Sequence, residues 1–450
     1  MSSPLRRLLI DITHTALQGS DTGIQRVARC LAKEAIAFSQ RHDTQVECLP
    51  VIVVDGKFVE VDRWCAARGY RKAKLDLGEL LQKLPLFGPT SPYRIRLNRL
   101  GNRLEKLLYP RTIDRKIREW VQSTRPPHVP VNPGEGDAIL MPDGWWDLPH
   151  MFDVVQDARQ NGARVGAMVH DLIPIRHPEF FDERMRINFT EWVTRLLHSI
   201  DFLVGDAQAA EDDLWLFNQE QGSPLSRNQV GHVRLGCDIG PRKKGDAQKV
   251  RANLRHLFAD RSKAPYLMVS TIEIRKNHTY LLDAFDRLWA DGHDVSLALV
   301  GRIGWKCKDL IQRILNHPES GKRLHLLSDI DDNTLNYLYD NSKAFLFSSK
   351  AEGFGLPIVE AQHHGLHVFA SDIPIFREVA GSGAHFFSLD EPGDLSRQIV
   401  QFESQQGWTT EPKVDVVNEP WSQVFPKLVE TVGRLCGDTS KAHNSAEKAA

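Results

Sequence analysis

The chain of 450 residues contains no run of 18 or more apolar residues, so no hydrophobic helix long enough to span a bilayer is expected. Cysteine is sparse. Cys30, Cys48, Cys65, Cys237, Cys307 and Cys436 are scattered, without a C-x-x-C pair or zinc-ligand spacing. That argues against a disulfide framework or a cysteine metal centre and fits a reducing compartment. Net charge is nearly absent: 57 Lys and Arg stand against 58 Asp and Glu, giving −1, so no global field marks a nucleic-acid binder. After Arg6-Arg7 the apolar run Leu8-Leu9-Ile10 stops at Asp11, short of a secretory signal. A cytoplasmic location is expected. The first apolar strand is not followed by G-x-G-x-x-G, which counts against a nicotinamide-dependent oxidoreductase.

What is present points to two α/β domains. The length exceeds one ordinary core, and 41% hydrophobic with 26% charged residues is a globular composition. Leu8–Ile12 reads as a buried strand, Thr13–Gly23 as a loop, and the stretch from Ile24 as a helix by its apolar spacing. Strands are expected at Val51–Val54, Ala138–Met141, Arg164–Val169, Asp201–Gly205 and Val233–Asp238. A second set is expected at Tyr266–Ser270, Val295–Val300, Leu324–Leu327, Ala344–Ser348 and His367–Ala370. Helical patterns separate them, so each half reads as a doubly wound, Rossmann-like unit with its site at the strand C-terminal ends. The expected division is 1–239 for the first domain and 247–410 for the second. Gly240–Asp246 is a hinge, 411–436 a helical segment and 437–450 a disordered tail.

Within the first domain, 84–130 reads as a helical insertion. Its stretch 94–125 carries ten Lys and Arg against three Asp and Glu, with Leu97, Leu100 and Leu104 at helical intervals. Such a stripe packs on its own domain with a solvated basic face, or lies on the anionic inner leaflet.

The richest string is Ser348-Ser-Lys-Ala-Glu-Gly-Phe-Gly-Leu-Pro-Ile-Val-Glu-Ala361. An apolar strand enters a turn with Gly353 and Gly355, and Pro357 sits where a helix would open. Glycines admit close backbone approach. A helix N-terminus favours an anion such as a diphosphate. Glu352 in the turn and Glu360 one helical turn in can face one cleft, each able to accept hydrogen bonds from a diol. Either glutamate alone reads rather as a solvated or dipole-favoured acid; it is the whole string that points to a ligand. Asp329-Ile-Asp331-Asp332 precedes Asn333-Thr334 and reads as a helix N-cap cluster rather than a metal site. No metal and no cofactor are expected.

This string resembles the donor-site signature of retaining GT-B glycosyltransferases of family 4, two glutamates separated by seven residues with Gly-Phe-Gly-Leu-Pro between them. Ala370-Ser-Asp-Ile-Pro374 and Arg377-Glu-Val-Ala-Gly381 extend the match. Tyr266–Asn277 resembles the strand and loop that end in Lys-Asn, Leu299–Arg302 the next strand end, and Val169-His170-Asp171 the His-Asp segment of the first domain. Asp21-Thr-Gly23-Ile-Gln-Arg26 resembles the glycine loop near acceptor and phosphates. The resemblance implies a GT-B fold. It implies donor contacts by Glu352, Gly353, Phe354, Gly355 and Leu356, and a ribose diol held by Glu360. Lys276 would neutralise the diphosphate, with Arg275 beside it, and His170 would sit beside the reacting sugar, with Glu352. Gly23, Arg26 and Asp171 would belong to the acceptor and phosphate loops. Where relatives carry Gly-Arg this chain has Ser270-Thr271, so the second diphosphate cation is left unassigned, with Arg26 one candidate.

The implied reaction is hexose transfer with retention from a nucleotide sugar, GDP-mannose or a related GDP-hexose. The acceptor would be a glycan or polyprenyl-linked glycan of a bacterial surface polysaccharide. Other classes remain to weigh: a sugar-nucleotide epimerase on the same fold, the oxidoreductase above, or an inactive glycan-binding relative.

Overall fold

The computed structural model describes residues 4–18, 23–41, 44–61, 130–237, 247–412, 416 and 418–437. The basic stretch 94–125, the hinge 240–246 and residues 438–450 fall outside them.

The first sheet holds β1 (Arg7–Asp11), β2 (Glu47–Val54), β3 (Lys57–Glu60), β4 (Pro130–Val131), β5 (Asp137–Met141), β6 (Arg164–Met168), β7 (Phe202–Gly205) and β8 (Val230–His232), in the order β4-β3-β2-β1-β5-β6-β7-β8. From β2 through β8 the pairing is parallel. Its centre is buried on both faces, which is why Leu8, Leu9 and Ile10 are consecutive and fully buried rather than alternating. β3 returns antiparallel through Asp55-Gly56, both at positive φ, as a two-residue hairpin demands.

The second sheet is wholly parallel. β9 (Tyr266–Val269), β10 (Leu297–Val300), β11 (Leu324–Leu327), β12 (Phe345–Phe347), β13 (Val368–Ser371) and β14 (His385–Phe387) take the order β11-β10-β9-β12-β13-β14. Order reverses between β1 and β5 in one sheet and between β9 and β12 in the other, the positions at which such sheets bind ligands.

The helices of the first unit are α1 (Thr13–Gln18), α2 (Gly23–Ser39), α3 (Met151–Gln160), α4 (Ile173–Arg176), α5 (Glu183–Leu197) and α6 (Gln208–Glu220). Those of the second are α7 (Ala252–Leu257), α8 (His278–Ala290), α9 (Lys308–Asn316), α10 (Asp332–Asn341), α11 (Leu356–His363), α12 (Pro374–Ala380) and α13 (Pro392–Ser404). The last helix, α14 (Trp421–Leu435), crosses back to the first unit. Its stripe Val424, Phe425, Leu428, Val429, Val432 and Leu435 is buried, and Phe425 meets Phe38 of α2 at 5.6 Å between ring centroids.

Two expectations from sequence differ from the structure. The stretch 13–18 is helical, because carboxylates at two strand ends cap it. Asp11 accepts from the Thr13 N–H at 3.1 Å and Asp143 from the Thr15 N–H at 2.8 Å. The last strand of the first sheet is Val230–His232, not Val233–Asp238. Past His232 the chain turns to the second unit, with Arg234 donating to Val379 O and the Cys237 N–H to Glu419 O. β3, β4 and β14, short strands at or next to sheet edges, are additions to the strands expected from sequence. The acidic cluster is a helix cap, as expected: Asp331 accepts from the Thr334 N–H at 2.7 Å.

The two units touch at several points that define a cleft. Glu378 of α12 offers both carboxylate oxygens to the Gln208 and Ala209 N–H groups that open α6, at 2.7 and 2.9 Å. Arg234 reciprocates on the carbonyl end of α12, donating to Glu378 O and Val379 O. Lys306 donates to the Glu179 and Phe181 carbonyls and Trp305 Nε1 to that of Phe180.

Candidate functional site

The loop from β12 to α11 forms the second domain's face of the cleft. Gly355 caps α11 at φ +98°, a conformation open to glycine. At Gly353 a Cβ would stand 2.3 Å from the His170 carbonyl oxygen. Glycine here is therefore a requirement of close approach between the two domains. Phe354 is buried, with the Arg234 guanidinium 5.6 Å from its ring centroid. Leu356 opens α11 and Pro357 occupies its first turn.

Glu352 is the charge centre of this loop. Its side chain is 8% exposed and accepts from Arg275 Nη1 at 2.8 Å, Ser349 Oγ at 2.6 Å and Lys276 Nζ. Burial pushes its pKa up, but Arg275, Lys276 and these hydrogen bonds outweigh that and hold it at about 2. Arg275 also binds Glu273 at 2.9 Å and the Ala351 carbonyl at 2.7 Å. Lys276 is buried, which together with Arg275 lowers its pKa against the pull of Glu352. Both cations thus converge on Glu352. The turn that aims them ends at Asn277, left-handed at φ 54°, a conformation asparagine tolerates.

Glu360, on α11, is buried and accepts from Tyr339 Oη at 2.8 Å and from Arg26 Nη1 of the first domain. Arg26 therefore meets the carboxylate expected to hold a ribose. Gly23 opens α2, the helix that carries Arg26.

The first domain's face is built from the tips of adjacent strands. His170 follows β6 and is held at both ring nitrogens: Nε2 lies 2.9 Å from Pro142 O, after β5, and Nδ1 3.2 Å from Asp206 Oδ2, after β7. Desolvation lowers the His170 pKa, yet Asp206 and the Pro142 carbonyl raise it above the usual histidine value. Asp171 accepts at 3.0 Å from the N–H of Ile173, the first residue of α4. Its pKa is raised by burial, against Arg275. His170, Asp171, Glu352 and Gly353 line one cavity of about 250 Å³ between the domains.

Behind this face lie residues not anticipated from sequence: Asp143 accepts from Thr15 Oγ1 at 2.7 Å, and Asp11, lifted by burial to about 7, binds Thr13. Asp11, Asp143 and Asp206 each follow or end a strand, the one local signal that could have flagged them. Ser270 Oγ lies 3.2 Å from His278 Nε2. Among the described residues no group of His, Cys, Asp and Glu could hold a metal ion, and no helix is long and apolar enough to cross a membrane.

Two facing α/β units with the site at their strand tips define the GT-B class. HepE of Anabaena, solved with UDP and glucose, superposes with a TM-score of 0.53 at 14% identity, covering 98% of this chain and all of that one, and it confirms the fold. The family model described as glycosyl transferases group 1 matches residues 252–414. The chain has the GT-B fold, carries a group 1 glycosyl transferase domain, and is similar to bacterial mannosyltransferases. It is 32% identical over 309 residues to the serotype-specific mannosyltransferase WbdA of Escherichia coli, covering 67% of this chain and 38% of that protein. O-antigen chain mannosyltransferase B of Escherichia coli is 30% identical over 143 residues, covering 32% of this chain and 37% of the relative. The chain thus spans well under half the length of these curated relatives.

Proposed function

We propose that this protein transfers mannose, or a related hexose, from a nucleotide sugar to a hydroxyl of a growing bacterial surface polysaccharide, with retention of configuration. The observation that carries the reading is the Glu352 carboxylate clamped between Arg275 and Lys276 at the opening of α11, across from His170. A carboxylate held ionised in this way accepts hydrogen bonds from sugar hydroxyls and is a poor general acid, which disfavours the epimerase alternative. Lys276, shared with Glu352, and the N-terminus of α11 would stabilise a departing diphosphate. Glu360 would take the ribose diol, and Arg26, its partner across the cleft, would close over the nucleotide. The leaving diphosphate accepts the proton of the acceptor hydroxyl in a front-face substitution. The His170 main-chain carbonyl, close to Gly353, faces the positive charge that develops on the sugar. Catalysis then rests on positioning and electrostatics.

The similarity to bacterial mannosyltransferases supports mannose as the sugar; GDP as its carrier rests on the resemblance of the Ile272–Asn277 loop to that of mannosyl- and rhamnosyl-type enzymes. The acceptor would be a polyprenyl-linked glycan at the inner leaflet, with 94–125 as the membrane contact. A nucleotide-sugar panel read by thermal shift tests the donor. At about 100 times the dissociation constant, the matching donor stabilises by roughly 2.7 kcal/mol. A response to UDP and none to GDP overturns the GDP assignment, and Glu352→Gln with turnover within about twofold of the parent overturns the site. Unchanged liposome binding after neutralising 94–125 removes the membrane contact.

A further inference from the structure

Asp206 belongs to none of the motifs above, yet it is 2% exposed and one of its oxygens, Oδ1, is buried without a partner. Its other oxygen meets His170 Nδ1 at 3.2 Å, while the opposite ring nitrogen lies 2.9 Å from the Pro142 carbonyl. A carbonyl can only accept, so Nε2 carries hydrogen. Nδ1 faces a carboxylate, and both hydrogen bonds form when a proton lies between Nδ1 and Asp206; burial raises the Asp206 pKa against the pull of His170, and the raised imidazole pKa favours that proton on the ring. The ring is then tied to the tips of β5 and β7, on either side of β6 which carries it. Both ring nitrogens are thus bonded inside the first domain. What His170 presents to the second domain is its main-chain carbonyl, against Gly353.

We infer that Asp206 is a positioning residue. With Pro142 it locks the His170 ring, and the locked ring fixes the carbonyl of the same residue on the wall of the cavity shared with Glu352 and Gly353. The inference rests on the transfer reaction proposed above. The pair is net neutral, so it opposes no positive charge forming nearby. The charged groups facing His170 are Asp206, Asp171 and Asp143, with Arg275 beyond Asp171. The upward shift of the imidazole agrees with that acidic surrounding.

Three variants of the full chain test the assignment: Asp206→Ala, Asp206→Asn and, as a spectroscopic reference, His170→Asn. Asp206→Ala frees one end of the ring, and kcat should fall about 100-fold, the cost of roughly 1 Å of misplacement, with donor KM changed less than about threefold. Asp206→Asn restores a hydrogen bond of reversed polarity, its amide N–H donating to a neutral Nδ1. Turnover should recover to within about fivefold of the parent while the ring loses its charge. Ring-nitrogen NMR of isotope-labelled histidine, by difference against His170→Asn, should show both nitrogens protonated in the parent near neutral pH and only Nε2 in Asp206→Asn. Parent-like kcat in Asp206→Ala, parallel loss of donor binding and kcat in both Asp206 variants, or a neutral ring in the parent overturns the inference. If Asp206→Ala does not fold, the Asp206→Asn turnover and the ring signals decide. If the parent transfers no sugar from any donor, the transfer reading fails, and the parent's ring signal still decides whether Asp206 locks His170.

Discussion

On the second domain's side of the cleft Glu352 sits among Arg275, Lys276 and Ser349, whereas on the first domain's side Asp11, Asp143 and Asp206 rest on Thr13, Thr15 and His170. Burial is similar on both sides, and the outcome is opposite. Glu352 is held at about 2, while Asp11 is lifted to about 7. At Glu352 two cations at hydrogen-bond distance more than offset desolvation; at Asp11 the Thr13 hydroxyl does not. One face therefore keeps a constant charge pattern across the neutral range, and the other changes charge there.

The largest effect that would sharpen this contrast comes from Lys276. Lys276→Ala removes the amine proposed to meet the diphosphate, and kcat/KM for the donor should fall by about 10²–10³, the scale for one electrostatic stabiliser. Arg275 remains on Glu352, so the carboxylate should stay ionised and the fold intact. Steady-state kinetics with a circular dichroism melt checks both halves. A loss under about tenfold would place the diphosphate elsewhere.

Next comes stability against pH. Asp11 has a folded pKa above its unfolded value of about 3.8, so the native state binds the extra proton between those values. Stability is then highest below about pH 4 as far as this group is concerned, and it declines as pH rises toward 7, where the penalty is complete. Asp11→Asn keeps an acceptor for Thr13 and removes the penalty. The variant should melt above the parent at pH 8, by an amount on the order of a few kcal/mol, and the gain should shrink toward pH 4. Glu352 has the reverse sign: its depressed pKa contributes stability present above about pH 4.5 and lost only as pH falls toward 2. An Asp11→Asn gain that is equal at both pH values would contradict the titration.

The same contrast explains what could be read without coordinates. The donor face is almost contiguous: Glu352 to Glu360 is one turn and one helix start, and Arg275-Lys276 is one dipeptide, so pattern and resemblance expose both. Neither revealed that Arg275 and Lys276 share one carboxylate, or that Arg26 crosses to Glu360, because those pairings span 76 to 334 residues of sequence. The first domain's face is assembled from single residues at the ends of β1, β5, β6 and β7. Asp11, Asp143 and Asp206 each look like an ordinary acid after a strand, and only the parallel register places them together. Helix α1 was unreadable for the same reason, since Thr13-His-Thr15 gains its helix start from Asp143, 128 residues away.

The smallest predicted effect tests whether the two faces are independent. Glu378 ties the domains through its side chain on the N–H groups that open α6, while Arg234 ties them through main-chain carbonyls of α12. Glu378→Ala should therefore break half of this clasp and spare the other half. The lost cap and the lost negative charge at a helix N-terminus are together worth about 1 kcal/mol at this half-buried position. Ala209 and Ala210 of α6 line the cavity beside His170 and Glu352, so fraying there would loosen the cleft itself. With Arg234 intact, the variant should show a small melting shift and a donor KM within about twofold of the parent, because binding energy at the clamped glutamate does not pass through α6. A large rise in donor KM would mean that the charge pattern of the second face depends on how closely the first is held against it.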